Sequence, residues 1–145
     1  MPDSIFFIND DIAKAETIPS EFYLDKKYFA LSIKNIFRNS WQFITDINEI
    51  GENNIFPFIF LKDTINDPLI LTNHKKIICL SNVCTHRGSL LCKSKKKCKT
   101  IQCKYHGRTF DLNGEFKAAP GFEGIDNFPK QSDNLTPCDV KQWKQ

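Results

Sequence analysis

At 145 residues, 41% of them hydrophobic and 13 of them Phe, the chain can fill one ordinary core and lacks the bias of a disordered or repetitive protein. The apolar stretch Ile5 to Ile8 has no basic segment before it or cleavage site after it, and nothing approaches the roughly 18 apolar residues of a membrane span, so a cytoplasmic protein is expected. The net charge of +3 is uneven, with five basic and nine acidic residues up to position 60 and fifteen and eight beyond it, a local excess without a nucleic-acid-binding motif. Asp25 is placed to cap a helix running to about Arg38, in which Phe29, Ile33, Ile36 and Phe37 form one apolar stripe and hence one buried face. The period then changes to that of strands. Trp41 to Thr45, Ile55 to Leu61, Leu69 to Thr72 and Lys76 to Leu80 are short β-rich runs, separated by turn residues such as Gly51, Asn66-Asp67-Pro68 and Asn73-His74. Arg108 to Leu112 and Glu115 to Ala118 flank Asn113-Gly114, which predicts a hairpin with a type I′ turn starting two residues after His106. The expected fold is a mainly antiparallel β domain over 41–145, preceded by a helical arm over 1–40 in which Phe37 and Trp41 anchor the helix.

The chemistry concentrates in two short units, Cys84-Thr85-His86 and Cys103-Lys104-Tyr105-His106, with sixteen residues between His86 and Cys103. A glycine follows each, Gly88 after Arg87 and Gly107 after His106, as a loop requires when it turns tightly and brings backbone N–H groups toward an anionic group. One thiolate and one imidazole from each of two loops suit a binuclear iron–sulfur centre, one iron taking both sulfurs and the other both imidazoles. A structural zinc of Cys2His2 type is the rival, although its cysteines usually precede its histidines and here the order alternates. Nucleophilic Cys-His catalysis ranks lower still, because no acidic residue lies near either unit to orient a base.

The runs Asn82-Val83-Cys84-Thr85-His86-Arg87-Gly88-Ser89 and Cys103-Lys104-Tyr105-His106-Gly107-Arg108-Thr109-Phe110-Asp111 closely resemble the two Rieske boxes of ring-hydroxylating oxygenase large (alpha) subunits. Ile18 to Tyr23 and Ile36 to Gln42 are similar to the N-terminal arm of those subunits. Leu112 to Phe116 and Ala119 to Phe122 resemble the hairpin and the proline-containing loop over their cluster. The resemblance implies a Rieske-type β-sandwich with a cluster-binding subdomain, one [2Fe–2S] cluster on Cys84, His86, Cys103 and His106, a reductase or ferredoxin as electron donor, and an oxygenase catalytic domain or subunit as acceptor. It also implies that the iron bearing His86 and His106 is the one reduced. A free-standing Rieske ferredoxin-like carrier is the alternative.

Departures from the family pattern sharpen these expectations. Where high-potential respiratory Rieske proteins carry a disulfide-forming cysteine in each box, this chain has Ser89 and Tyr105. Where they place a hydroxyl donor after the second His-Gly, and the oxygenases usually a Trp, it has Arg108. Fewer hydrogen bonds to sulfur predict a potential near the low end of the family range of about −150 to +300 mV. The only spare histidine, His74, cannot build the two-His, one-carboxylate iron site of the oxygenases, so the chain reads as the electron-entry part of such an enzyme: a fragment, a truncated product or a split subunit. Cys79 and Cys92 read as small core residues, and Cys98 and Cys138 as free thiols. The lysine run from Lys93 to Lys99 reads first as a solvated loop and second as a surface that steers an acidic redox partner.

Overall fold

The computed structural model describes residues 6–143, so Ile5 of the early apolar stretch lies outside it. Two compact units emerge, Met1–Phe43 and Ile44–Gln145.

In the first unit, α1 (Glu21–Leu24) and α2 (Lys26–Asn35) meet at Asp25, whose extended backbone and side chain make it the expected cap: its carboxylate accepts from the Lys27 N–H at 2.8 Å. Helix α2 stops at Asn35, about three residues short of the expected end, and a 3-10 turn over Phe37–Asn39 follows. There the Asn39 amide donates to the carbonyls of Lys34 and Asn35 at 3.0 and 3.2 Å, taking up acceptors that the helix leaves open. The expected buried face is not realised, since no residue of α2 is buried and Phe29 and Ile36 are more than half exposed. Trp41, expected as an anchor, is 61% exposed. A unit of about 40 residues has too little apolar surface for a core of its own. Its packing is instead a ring cluster, with Phe6 lying 4.7 Å from Tyr28 and 5.7 Å from Phe22.

The second unit carries the β structure. No strand forms over Trp41 to Thr45, which pair with none of the described strands, and Ile44 packs instead on the apolar cluster of Ile50, Leu69 and Leu71; Asp46 caps α3 (Ile47–Ile50) by accepting from the Asn48 N–H. One antiparallel sheet runs β1 (Ile55–Phe60), β2 (Asp67–Asn73), β3 (Ile77–Ser81) and β7 (Pro137–Cys138). The other joins β4 (Ile101–Gln102), β5 (Thr109–Phe110) and β6 (Phe116–Ala118). This is the mainly antiparallel β architecture the sequence predicted. Alternation along β2 sends Ile70 to a core shared with Leu80, Ile101 and Phe110, so both sheets supply it, while Leu69 and Leu71 turn to a second cluster with Ile50 and Cys79. Burial pushes the Cys79 thiol up to about 12, helped by Cys138 directly across the ladder, so Cys79 is an inert core residue, as its sequence context suggested.

The hairpin between β5 and β6 forms, but its turn is not type I′. Of the central pair only Gly114 takes positive φ, +87°, and the Asp111 carboxylate closes the loop by accepting from the N–H groups of Asn113 and Glu115, both at 2.9 Å. A Cβ at Gly114 would lie 2.9 Å from a Leu80 methyl and 3.2 Å from Leu135. Gly114→Ala is therefore expected to destabilise the fold by about 2 kcal/mol, combining left-handed strain with overpacking, and urea denaturation would measure it.

Candidate metal centre

Both ligand-bearing loops leave the shared core and are built alike. In the first, the Cys84 N–H donates to the Ser89 carbonyl at 2.8 Å and the Gly88 N–H to the Cys84 carbonyl at 3.1 Å. In the second, the Cys103 N–H donates to the Arg108 carbonyl at 2.8 Å and the Gly107 N–H to the Cys103 carbonyl at 3.0 Å. Each loop closes through its glycine at positive φ, +69° and +75°, where a side chain is strained. At Gly107 a Cβ would also press on the Pro120 ring, at 3.1 Å.

This doubled construction brings Cys84, His86, Cys103 and His106 together. The two cysteines are each about 2% exposed and lie at the edge of the shared core, their sulfurs in hydrogen-bond contact. The imidazoles stand toward solvent, with ring centroids 4.9 Å apart; His106 is exposed and His86 half-buried. Tyr105 stacks on His106 at 3.8 Å, and Phe122 meets His86 edge-on at 5.7 Å. Among the described residues, no three His, Cys, Asp or Glu side chains gather tightly enough to hold a single metal ion. Two sulfurs inside and two ring nitrogens outside suit a group with two metal atoms, one toward each pair.

Electrostatics separates the two thiols. Burial opposes ionisation at both and prevails at Cys84, whose thiol is held above its ordinary value despite the His86 N–H and the Arg108 charge. At Cys103 burial is outweighed by the backbone N–H groups of Tyr105 and His106, together with the side chains of Cys84 and Ser89, so this thiol sits below its ordinary value. His86 is held below its ordinary value by desolvation first, then by its neighbours His106, Arg108 and Arg87. Ser89, from the first loop, favours the charged form of Cys103 in the second, an influence that sequence reasoning missed.

Arg108 was also missed as a structural element of this region. It is only 4% exposed; one guanidinium nitrogen donates to the Thr85 hydroxyl and to the Asp133 carboxylate, both at 2.9 Å, and the Thr85 hydroxyl donates to the Asp133 carbonyl at 2.8 Å. The other cysteines lie apart in role. Cys92 is buried, its backbone bracketed by the Asn82 amide, and Cys98 is bracketed in the same way by Asn54. The lysine run is not a loose loop: Lys96 bridges to Ile55 on β1, and Lys95 pairs with Glu49 and stacks over Phe56. His74 lies beside Cys98, Lys99 and Asp111 around a shallow cavity of about 240 Å³.

The family model of the Rieske [2Fe–2S] domain matches residues 40–129, which span both loops. Over 132 residues the chain is 28% identical to a chloroplastic choline monooxygenase of Arabidopsis thaliana, covering 91% of this chain and 31% of that protein. A quaternary ammonium Rieske monooxygenase solved in complex with L-carnitine superposes with a TM-score of 0.77 at 26% identity, over 89% of this chain and 37% of that one. Naphthalene 1,2-dioxygenase from Rhodococcus sp., solved with indole bound, gives a TM-score of 0.70 at 27% identity, over 83% and 28%. The chain spans about a third of the length of the curated relatives it matches. It belongs to the Rieske [2Fe–2S] domain family, and its cofactor is one Rieske-type [2Fe–2S] cluster.

Proposed function

We propose that this chain is the electron-entry domain of a Rieske oxygenase, in which residues 41–145 hold the cluster through Cys84, His86, Cys103 and His106 and residues 1–40 form an arm. The observation that carries the reading is the doubled loop, which sets two buried thiols and two outward imidazoles at one place. When bound, the cluster supplies one-electron chemistry at a potential raised by its two neutral imidazole ligands. The chain's own residues do the rest. Cys103 enters as the readier thiolate, and the N–H groups of Tyr105 and His106 hold its charge. Tyr105 and Phe122 fix the planes of the two imidazoles, while the exposure of His106 leaves its outer edge available to a partner.

The likeness to oxygenases over nearly nine-tenths of the chain, arm included, supports an oxygenase domain over a free-standing carrier. Partners in this reading are a reductase or ferredoxin that delivers electrons and an oxygenase catalytic domain or subunit that receives them. Relatives named as choline and carnitine monooxygenases stand beside a naphthalene dioxygenase, so the reading covers monooxygenation as well as aromatic-ring dihydroxylation. No helix among the described residues is long and apolar enough to cross a membrane, which accords with a cytoplasmic site of action. Anaerobic reconstitution, metal and sulfide analysis, and low-temperature EPR after dithionite reduction test the reading. The expected result is about two iron and two sulfide per chain with a paramagnetic signal on one-electron reduction. A colourless chain holding a single zinc would overturn it.

A further inference from the structure

Arg108 sits where no electron-transfer role requires an arginine, yet the chain buries it at considerable cost. Its side chain is about 5% exposed, its charge faces the Asp133 carboxylate at 2.9 Å, and its Nε is buried with no hydrogen-bond partner among the described residues. Buried polar atoms are rarely left unsatisfied, and those that are tend to mark strain or function. The guanidinium lies over the adjoining rings of Phe116 and Phe128, whose centroids are 5.3 and 5.5 Å from it. Three separate segments therefore converge on one cation. Thr85 lies between Cys84 and His86 in the first ligand loop; Arg108 itself closes the second through its carbonyl; Asp133 comes from a 3-10 turn (Gln131–Asp133) beyond the family-matched segment.

We propose that Arg108 is a positioning residue of the cluster site, which clasps the two ligand loops through Thr85 and, with Asp133 as its counter-charge, sets the reduction potential of the bound cluster. This rests on the cluster assignment proposed above. The physical argument is one of charge. A reduced cluster carries one more negative charge than an oxidised one, and a fixed cation nearby in a poorly solvated region favours the reduced form, whereas the neighbouring carboxylate opposes it. The charge is tied to the first ligand loop by the hydrogen bond to the Thr85 hydroxyl at 2.9 Å, one residue from Cys84 and one from His86.

The test is a redox titration of the reconstituted chain at one pH, with EPR of the reduced state, for four proteins: the native chain, Arg108→Gln, Asp133→Asn and the double variant. Arg108→Gln removes the cation and is expected to make reduction harder by about tenfold at fixed electrode potential, about 59 mV for a one-electron couple. Asp133→Asn leaves Arg108 uncompensated and is expected to shift the potential the opposite way. The double variant is expected to return toward the native value. A clasp with only a structural role would loosen in both single variants and move them in the same direction, and that result, or no shift in either, overturns the proposal. If Arg108→Gln fails to hold a cluster, the upward shift in Asp133→Asn still decides the matter. A native chain that takes up no cluster overturns the assignment itself, whereas a native cluster with unshifted variants overturns only the role of Arg108.

Discussion

Replacing Cys103 with Ser is expected to leave the reconstituted chain colourless and without bound iron or acid-labile sulfide. A serine hydroxyl does not ionise near neutral pH, so the substitution removes the thiolate that the loop is arranged to hold while preserving nearly the same shape. Of the two site cysteines, Cys103 is the one whose surroundings favour the charged form, through the N–H groups of Tyr105 and His106 and the hydroxyl of Ser89. With that sulfur gone, the inner metal would keep a single thiolate, Cys84, whose burial disfavours its charged form. Cys98→Ser serves as the control, since Cys98 belongs to neither loop, is half-buried against the shared core, and is tied to Asn54 through its backbone, which the substitution leaves intact. Iron and sulfide content, measured alongside the visible spectrum, checks both. Full iron in Cys103→Ser, or its loss in Cys98→Ser, would contradict the assignment. Because the cysteine side chain is already confined in a folded loop, circular dichroism of the Cys103→Ser chain without metal should stay close to that of the native apo chain.

The pairing of the two candidate ligand units was legible because the chemistry repeats. A thiol, an imidazole and a glycine recur in the same order in both units, and the structure closes both with the same pair of backbone hydrogen bonds. Strands β1 to β3 were legible for a different reason: runs of β-branched and aromatic residues over five to seven positions, bounded by turn residues, leave a pattern, as Ile55–Phe60 and Asp67–Asn73 do. Strands of two residues leave none, so β4 and β7 could not be read, nor could the four-residue α3. The stripe of α2 failed in the opposite direction, having the right pattern without a buried layer in its own unit, whereas Trp41 to Thr45 straddle the boundary of the two units and Ile44 packs on the cluster around Ile50, Leu69 and Leu71 without joining a strand ladder. What no local pattern could carry is the long-range polar pairing. Arg108 meets Asp133 across 25 positions, Asn54 brackets Cys98 across 44, and the Thr72 hydroxyl donates to the Leu112 carbonyl across 40, each fixed by the topology of the two sheets. The consequence for the site is that the candidate ligands can be picked out in the sequence, whereas the long-range groups packed around them cannot.

That dependence on topology predicts the largest stability loss in the molecule. Phe110→Ala is expected to cost about 3–5 kcal/mol, a substantial share of the roughly 5–15 kcal/mol that holds a domain of this size together. Phe110 is fully buried on β5, in the same core cluster as Ile101, Leu80 and both site cysteines, and its ring meets Phe116 edge-on at 6.3 Å. Phe116 in turn packs on Phe128 at 4.9 Å, and these two rings are the ones that face the Arg108 guanidinium. The cavity left by the substitution therefore opens between the sheets and beneath the aromatic wall that holds Arg108 against the first ligand loop. Two effects should appear together in urea denaturation and iron analysis: a midpoint shifted down with little change in slope, and weaker retention of iron as the apo chain unfolds more readily. Phe110→Leu keeps the site apolar and most of its volume filled, and should recover much of both losses. Were the alanine variant to lose stability while holding iron as firmly as the native chain, the core and the ligand loops would be separable, contrary to the way the two cysteines are built into the packing between the sheets.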